Sequence, residues 1–173
     1  DSRRGGLAIA GAGALARLSL ASSAIPASEP STPVTSIGSM NSFWFGEVAG
    51  PSRAEWFRKD TAFDAQIRSR FGRLHEAASR RQLEAWRAAP ASMLALVIVL
   101  DQFSRNIHRG TAQAFAGDAQ ALGLAQDAIA SGRHLRLPAI HRVFLYLTLE
   151  HCEDLALQEE CVARFEELAR LNG

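Results

Sequence analysis

Two short runs in this sequence concentrate side chains that could do chemistry. The first is Asp101-Gln102-Phe103-Ser104-Arg105-Asn106-Ile107-His108-Arg109-Gly110. On a helix, side chains four apart stand one above the other, so Asp101 shares a face with Arg105, Gln102 with Asn106, and Arg105 with Arg109. A carboxylate, two amides and two guanidiniums in that order could hold and orient a polar or anionic ligand. They could equally close into a structural hydrogen-bond network, because polar groups at the edge of a core need partners. The second run is Glu150-His151-Cys152-Glu153-Asp154. Glu150 and Asp154 are like charges at i, i+4, which disfavours a helix unless a cation lies between them. Arg105, Arg109, Arg142 and His141 are the candidate suppliers. A metal would be another way to satisfy clustered carboxylates, and His151 and Asp154, three apart, could reach one ion. A di-iron bundle, however, needs Glu-x-x-His pairs on two helices, and the chain has none. No metal and no cofactor are expected.

Other chemistry is thinly signalled. Cys152 and Cys161 stand nine residues apart. On one helix that is roughly 13 Å, too far for a disulfide, so they read as small packing residues. Neither has a His or Asp at a spacing that makes it a convincing nucleophile. There is no phosphate-binding Walker loop and no dinucleotide fingerprint, and Gly110-Thr111 before a helix is a weak anion signal. Phe43-Trp44-Phe45-Gly46-Glu47, with Trp56-Phe57, reads as core packing or a cap, with an aromatic ligand platform as the alternative.

The elements that must position these residues are helices. Asp60 precedes a helix with Asp64 in its first turn, and Phe63, Ile67, Phe71, Leu74 and Ala78 make one apolar stripe. Leu83-Glu84-Ala85-Trp86 is a short helical piece. Pro90 opens a helix whose middle, Leu94 to Leu100, is apolar all round. A strand is the rival for such a run, but the helical residues before it and Asp101-Gln102-Phe103 after it contain no turn signal. The next helix is expected over Thr111–Ala130, with Phe115, Ala119, Leu122, Ala125 or Gln126, and Ile129 facing inward. Gly132 suits its C-terminal cap. Pro138 begins a helix carrying Ile140, Val143, Phe144 and Leu147. The last runs from about Glu153 to Leu171, with Leu157, Cys161, Phe165, Leu168 and Leu171 on one side. The fold class is all-α, helical hairpins packed as a bundle or short solenoid.

The chain has 173 residues, 47% of them hydrophobic, enough for one domain with a real core. Its net charge of +1 argues against a broad nucleic-acid surface, and two cysteines exclude a disulfide scaffold. Residues 1–39 differ from the rest: rich in Gly, Ala, Ser and Pro, and without an aromatic residue. Three readings stand. Arg3-Arg4, a small-apolar run and Ala21-Ser22-Ser23-Ala24 resemble a twin-arginine export signal, interrupted by Arg17. The segment could instead be translated sequence upstream of a start at Met40, or a plain disordered extension. No stretch is long and apolar enough to span a membrane. The helical domain is placed at residues 40–173, and a cytoplasmic location is expected unless the export reading holds.

Several motifs, in order, resemble a bacterial family: Phe43-Trp44-Phe45-Gly46, Trp56-Phe57, Phe63-Asp64, Arg70-Phe71-Gly72, Leu100 to Asn106, Arg109-Gly110-Thr111, Ala114-Phe115-Ala116 with Asp118, and Phe144-Leu145-Tyr146 through Asp154. It is the family numbered 924 among the domains of unknown function, and the resemblance covers about residues 42–168. It implies an all-helical fold of the tetratricopeptide-like superfamily and no reaction, so no catalytic residue carries over. The family usually has Pro at Ser104 and Thr148 and Ser at Cys152. Its members commonly continue beyond the equivalent of Gly173, with a His-Arg-Asn motif after Arg-Phe-Gly-Arg-Phe-Pro.

Two functions follow. One is a helical binding or scaffold protein for a peptide or protein partner. It is favoured because no nucleophile–base pair or metal signature is visible. The other is an enzyme or binder of a small anionic or polar ligand, centred on Asp101, Gln102, Arg105, Asn106, Arg109, Glu150, His151, Glu153 and Asp154. One site joining both runs would favour the small ligand, and an open apolar groove a protein partner. Charge balance predicts that the runs meet, with a carboxylate of the second within about 4 Å of Arg105 or Arg109.

Overall fold

Pro90 sets the start of the helix around which the fold is built. The computed structural model describes residues 34–46 and 54–172, so the targeting-like features of residues 1–33 lie outside the described residues. Helix α1 is Val34–Phe45. It crosses the expected boundary at residue 40, and Ile37 packs against the core. A single 3-10 turn at Ala54–Trp56 follows. Helix α2 is Thr61–Ser79, and Asp60 caps it, its carboxylate accepting the Ala62 and Phe63 N–H groups at 2.9 and 3.0 Å. The expected stripe of Phe63, Ile67, Phe71 and Ala78 is buried, and Asp64 and His75 lie buried beside it.

Helix α3, Pro90–Ile98, has Pro at its first turn. Ser92 to Ile98 are all buried. The apolar run is therefore a core helix, not a strand. The backbone then passes without a break into a π turn, Val99–Phe103, and a last α-helical turn, α4, Ser104–Ile107. These three pieces form one central rod that contacts α1, α2 and the later helices. At its head, Trp44, Trp56, Phe63, Phe103 and Phe144 pack ring against ring. The aromatic cluster is thus core, although Phe57 is exposed.

The Thr111–Ala130 segment departs from expectation. It is a 3-10 turn, Ala112–Phe115, and then helix α5, Asp118–Ala130. The break at Gly117 changes the helical phase, so α5 buries Ala121, Leu124, Ala125 and Ala128. Of the residues expected inside, Ala125 is buried and Leu122 and Ile129 are partly so, but Phe115 and Ala119 are exposed, Phe115 60% so. Its ring is covered instead by the Arg105 guanidinium, 5.3 Å from the ring centre. Gly132 ends α5 in the left-handed region, φ 69.

Helix α6, Ala139–His151, and helix α7, Leu155–Asn172, form a closing hairpin. Cys161, Phe165 and Leu168 face in, but Leu171 is 67% exposed. Cys152 lies in the turn that joins the two arms and Cys161 on α7, and both are free thiols. Among the described residues there is no strand, and no helix is long and apolar enough to cross a membrane.

Candidate functional site

The π turn carries Asp101 into the interior. One extra residue per turn makes this stretch an irregularity of the kind that recurs at functional sites. The Asp101 side chain is 1% exposed, and its partners come from two directions. From its own helix, Gln102 Nε2 donates to Oδ2 at 2.5 Å and Arg105 Nη1 approaches Oδ1 at 3.2 Å. From the end of α6, His151 Nδ1 lies 2.7 Å from Oδ1. The two sequence runs, 50 residues apart at this contact, therefore meet.

Arg105 then reaches outward and grips Asp118, with Nη1–Oδ1 at 2.7 Å and Nη2–Oδ2 at 3.0 Å. That is a bidentate fork at the start of α5. It forms because Gly117 lies against the π turn. A Cβ at that position would stand 2.4 Å from the Leu100 carbonyl oxygen, so only glycine lets α5 start so close.

The electrostatics separate two carboxyl groups. Burial pushes the Asp101 carboxyl up, but His151, Arg105 and Gln102 together hold it below the ordinary range. Glu150, half buried one residue from His151, goes the other way. Burial raises it, Asp101 adds repulsion, and His151 only partly offsets them. An ionised Asp101 can only accept hydrogen bonds, so Nδ1 of His151 must donate. In the neutral imidazole Nε2 then holds the lone pair. His151 is 23% exposed, and no described residue hydrogen-bonds Nε2. A carboxylate that holds the imidazole through Nδ1 leaves Nε2 able to accept a proton.

The expected carboxylate-to-arginine contact is not the one that forms. Arg105 pairs with Asp101 and Asp118, and Arg109 with Asp64, Nε–Oδ2 at 2.6 Å. Asn106 Nδ2 also donates to Asp64, at 2.8 Å. Asn106 and Arg109 thus form a second network, around Asp64 on α2. Burial raises the Asp64 carboxyl, while Arg109 and Asn106 bring it below the usual value. Helix α6 ends at His151, so Glu150 and Asp154 do not stack on one helix and need no cation between them. Asp154 instead caps α7, accepting from the Ala156 and Leu157 N–H groups at 2.9 and 3.2 Å. Glu153 is exposed. Arg142 binds the Leu137 and Leu135 carbonyls, and His141 is buried against Phe45. Among the described residues no group of three or more His, Cys, Asp or Glu could hold a metal ion.

Residues 40–172 match the profile of the family described as bacterial protein of unknown function (DUF924). The chain belongs to this family. A solved structure of a protein of unknown function from Agrobacterium tumefaciens is 36% identical, with a TM-score of 0.69 over 81% of this chain and 84% of that one. No curated protein matches the chain.

Asp64 and Asp118 are the site residues that the spacing argument misses. Each lies in the first turn of its helix and reads there as a favourable charge beside the helix N-terminus. Both nevertheless fall within the motif runs of the family, Phe63-Asp64 and Ala114-Phe115-Ala116 with Asp118. That was the available signal.

Proposed function

We propose that this DUF924 protein binds a small polar ligand beside the Asp101–His151 pair, with His151 Nε2 as the proton-accepting group of the site. One observation carries the reading: a 2.7 Å contact between a part-exposed imidazole and a carboxylate in the core. A purely structural network has no need of an imidazole whose second nitrogen lacks a protein partner. This geometry does in part what the carboxylate–histidine pairs of hydrolases do. The acid fixes the tautomer, and the ring presents a lone pair. Burial pushes the neighbouring Glu150 carboxyl up, towards its neutral form. The tetratricopeptide-like scaffold reading is less well supported. A described surface groove carries four arginines and two histidines on its lining, beside one large aliphatic side chain, Ile107.

A thermal-shift screen of polar metabolites, run on the wild type and on His151→Gln, tests this. A true ligand at 100 times its Kd adds about 2.7 kcal/mol to the wild type. His151→Gln should lose most of that shift. A ligand that stabilises both proteins equally would contradict the assignment of His151.

A further inference from the structure

On another side of the central rod, α2 and the turn that follows α4 enclose an open groove of about 720 Å³. It shares no lining residue with the Asp101–His151 pair. Four arginines reach it, against one acid, Glu76. Their states differ. The charge of Arg109 is met by Asp64. Arg68 donates to the Ile107 carbonyl at a helix end, and its charge acts on Asp64, which Arg109 already pairs. Arg70 lies over the Phe43 ring, 4.7 Å from its centre, and keeps its charge. Arg73 is exposed and pairs with no described residue. Arg70 and Arg73 are neighbours on the surface of α2, a like-charge pair that weakens a helix. Glu76 is the one acid on the lining and Asp64 is shared between Arg109 and Arg68, so the guanidiniums of Arg68, Arg70 and Arg73 leave a local positive field on a chain whose net charge is only +1.

Two further features point into the groove. Gly72 sits inside α2, where glycine is unfavourable, yet a Cβ there would meet nothing within 4 Å. Packing does not demand it, and its bare backbone lines the groove. His75 is 7% exposed and also lines the groove, but it hydrogen-bonds to no described residue. Its ring centre lies 5.2 Å from that of His108, another lining residue. Two imidazoles side by side can both donate to one oxyanion.

We propose that this groove binds a small ligand through its phosphate groups, with Arg68, Arg70 and Arg73 as the cationic clamp and His75 and His108 as donors. Guanidiniums suit phosphate oxygens, because their forked N–H groups match them in pairs. The volume is that of a small-molecule site. A long nucleic acid would need a basic stripe far beyond one groove, and the charge balance of the chain does not supply it. The inference does not depend on the reading of His151, and its test leaves His151 untouched.

Calorimetric titration of the full chain with inorganic tripolyphosphate is the experiment, with a single-stranded oligonucleotide as a separate arm. Saturable one-to-one binding of tripolyphosphate is expected. Arg73→Gln should weaken it about tenfold without lowering the melting temperature, since it relieves the repulsion with Arg70. Gly72→Ala should raise the melting temperature and weaken binding, because the new methyl group occupies the groove floor. Absent or non-saturable binding would overturn the proposal, as would binding that neither substitution changes. An oligonucleotide that binds more tightly than tripolyphosphate would also overturn it, in favour of a nucleic-acid surface.

Discussion

His141 shows how far the environment can move a single side chain. It is buried in α6 with its ring stacked on Phe45 at 3.9 Å, and its Nδ1 has no partner among the described residues. Burial lowers it from 6.5 to about 4. A base depressed in the folded state binds its proton first in the unfolded chain. Its stability contribution is therefore intact above pH 6.5 and declines as pH falls from there to about 4, at about 1.4 kcal/mol per pH unit. His75 and His134 are depressed in the same direction. Asp64 and Asp101 act in a different window. Their folded values lie below the ordinary one, so their contributions hold above about pH 3.9 and fade only below it. Between pH 7 and 4.5 the depressed histidines lower stability as pH falls, while Glu150, raised above 4.5 in the folded state, works in the opposite direction. Urea unfolding at these two pH values should show a loss of about 2 to 3 kcal/mol from His141 alone. His141→Phe should remove that share. Equal losses in the two proteins would show that His141 is not held neutral.

At the scale of elements, the π turn and the start of α5 form one unit. Asp60, Pro90 and Gly132 could be read directly, because each acts on its own backbone: a cap, a first-turn proline, a left-handed glycine. The burial of Leu94 to Leu100 was equally legible from an uninterrupted apolar run. The inward face of α5 was not. A periodic pattern carries no mark of where one helix stops and the next restarts, and Gly117 resets the phase. The reason for that glycine lies 17 positions away in sequence, at the Leu100 carbonyl. Gly117→Ala should cost about 1 to 3 kcal/mol, as overpacking against backbone does. It should also draw Asp118 away from Arg105. Chemical denaturation measures the cost. An unchanged midpoint would mean that α5 and the π turn leave room for a methyl group at their contact.

At the scale of the whole molecule, the fold decides which carboxylate each cation meets. Several acids could satisfy Arg105 or Arg109 chemically, and sequence spacing cannot rank them. The helices choose Asp118 and Asp64, and they bring His151 rather than a carboxylate to the first polar run. That the runs meet was legible from the antiparallel return of the chain, whereas the charge argument named an arginine–carboxylate pair that does not form. Which atoms meet was not, because the end of α6 at His151 turns Glu153 and Asp154 outward. The Asp101–His151 contact exists only when α6 docks on the central rod, so the tautomer of His151 reports the assembled site. Nitrogen-15 correlation spectra of the histidine rings measure it directly. For neutral His151 the proton should lie on Nδ1 and the lone pair on Nε2, the reverse of the form that free histidine prefers in water. In Asp101→Asn this bias should weaken. A proton found on Nε2 of the wild-type ring would contradict the account, because the ring would then present a donor to the ligand.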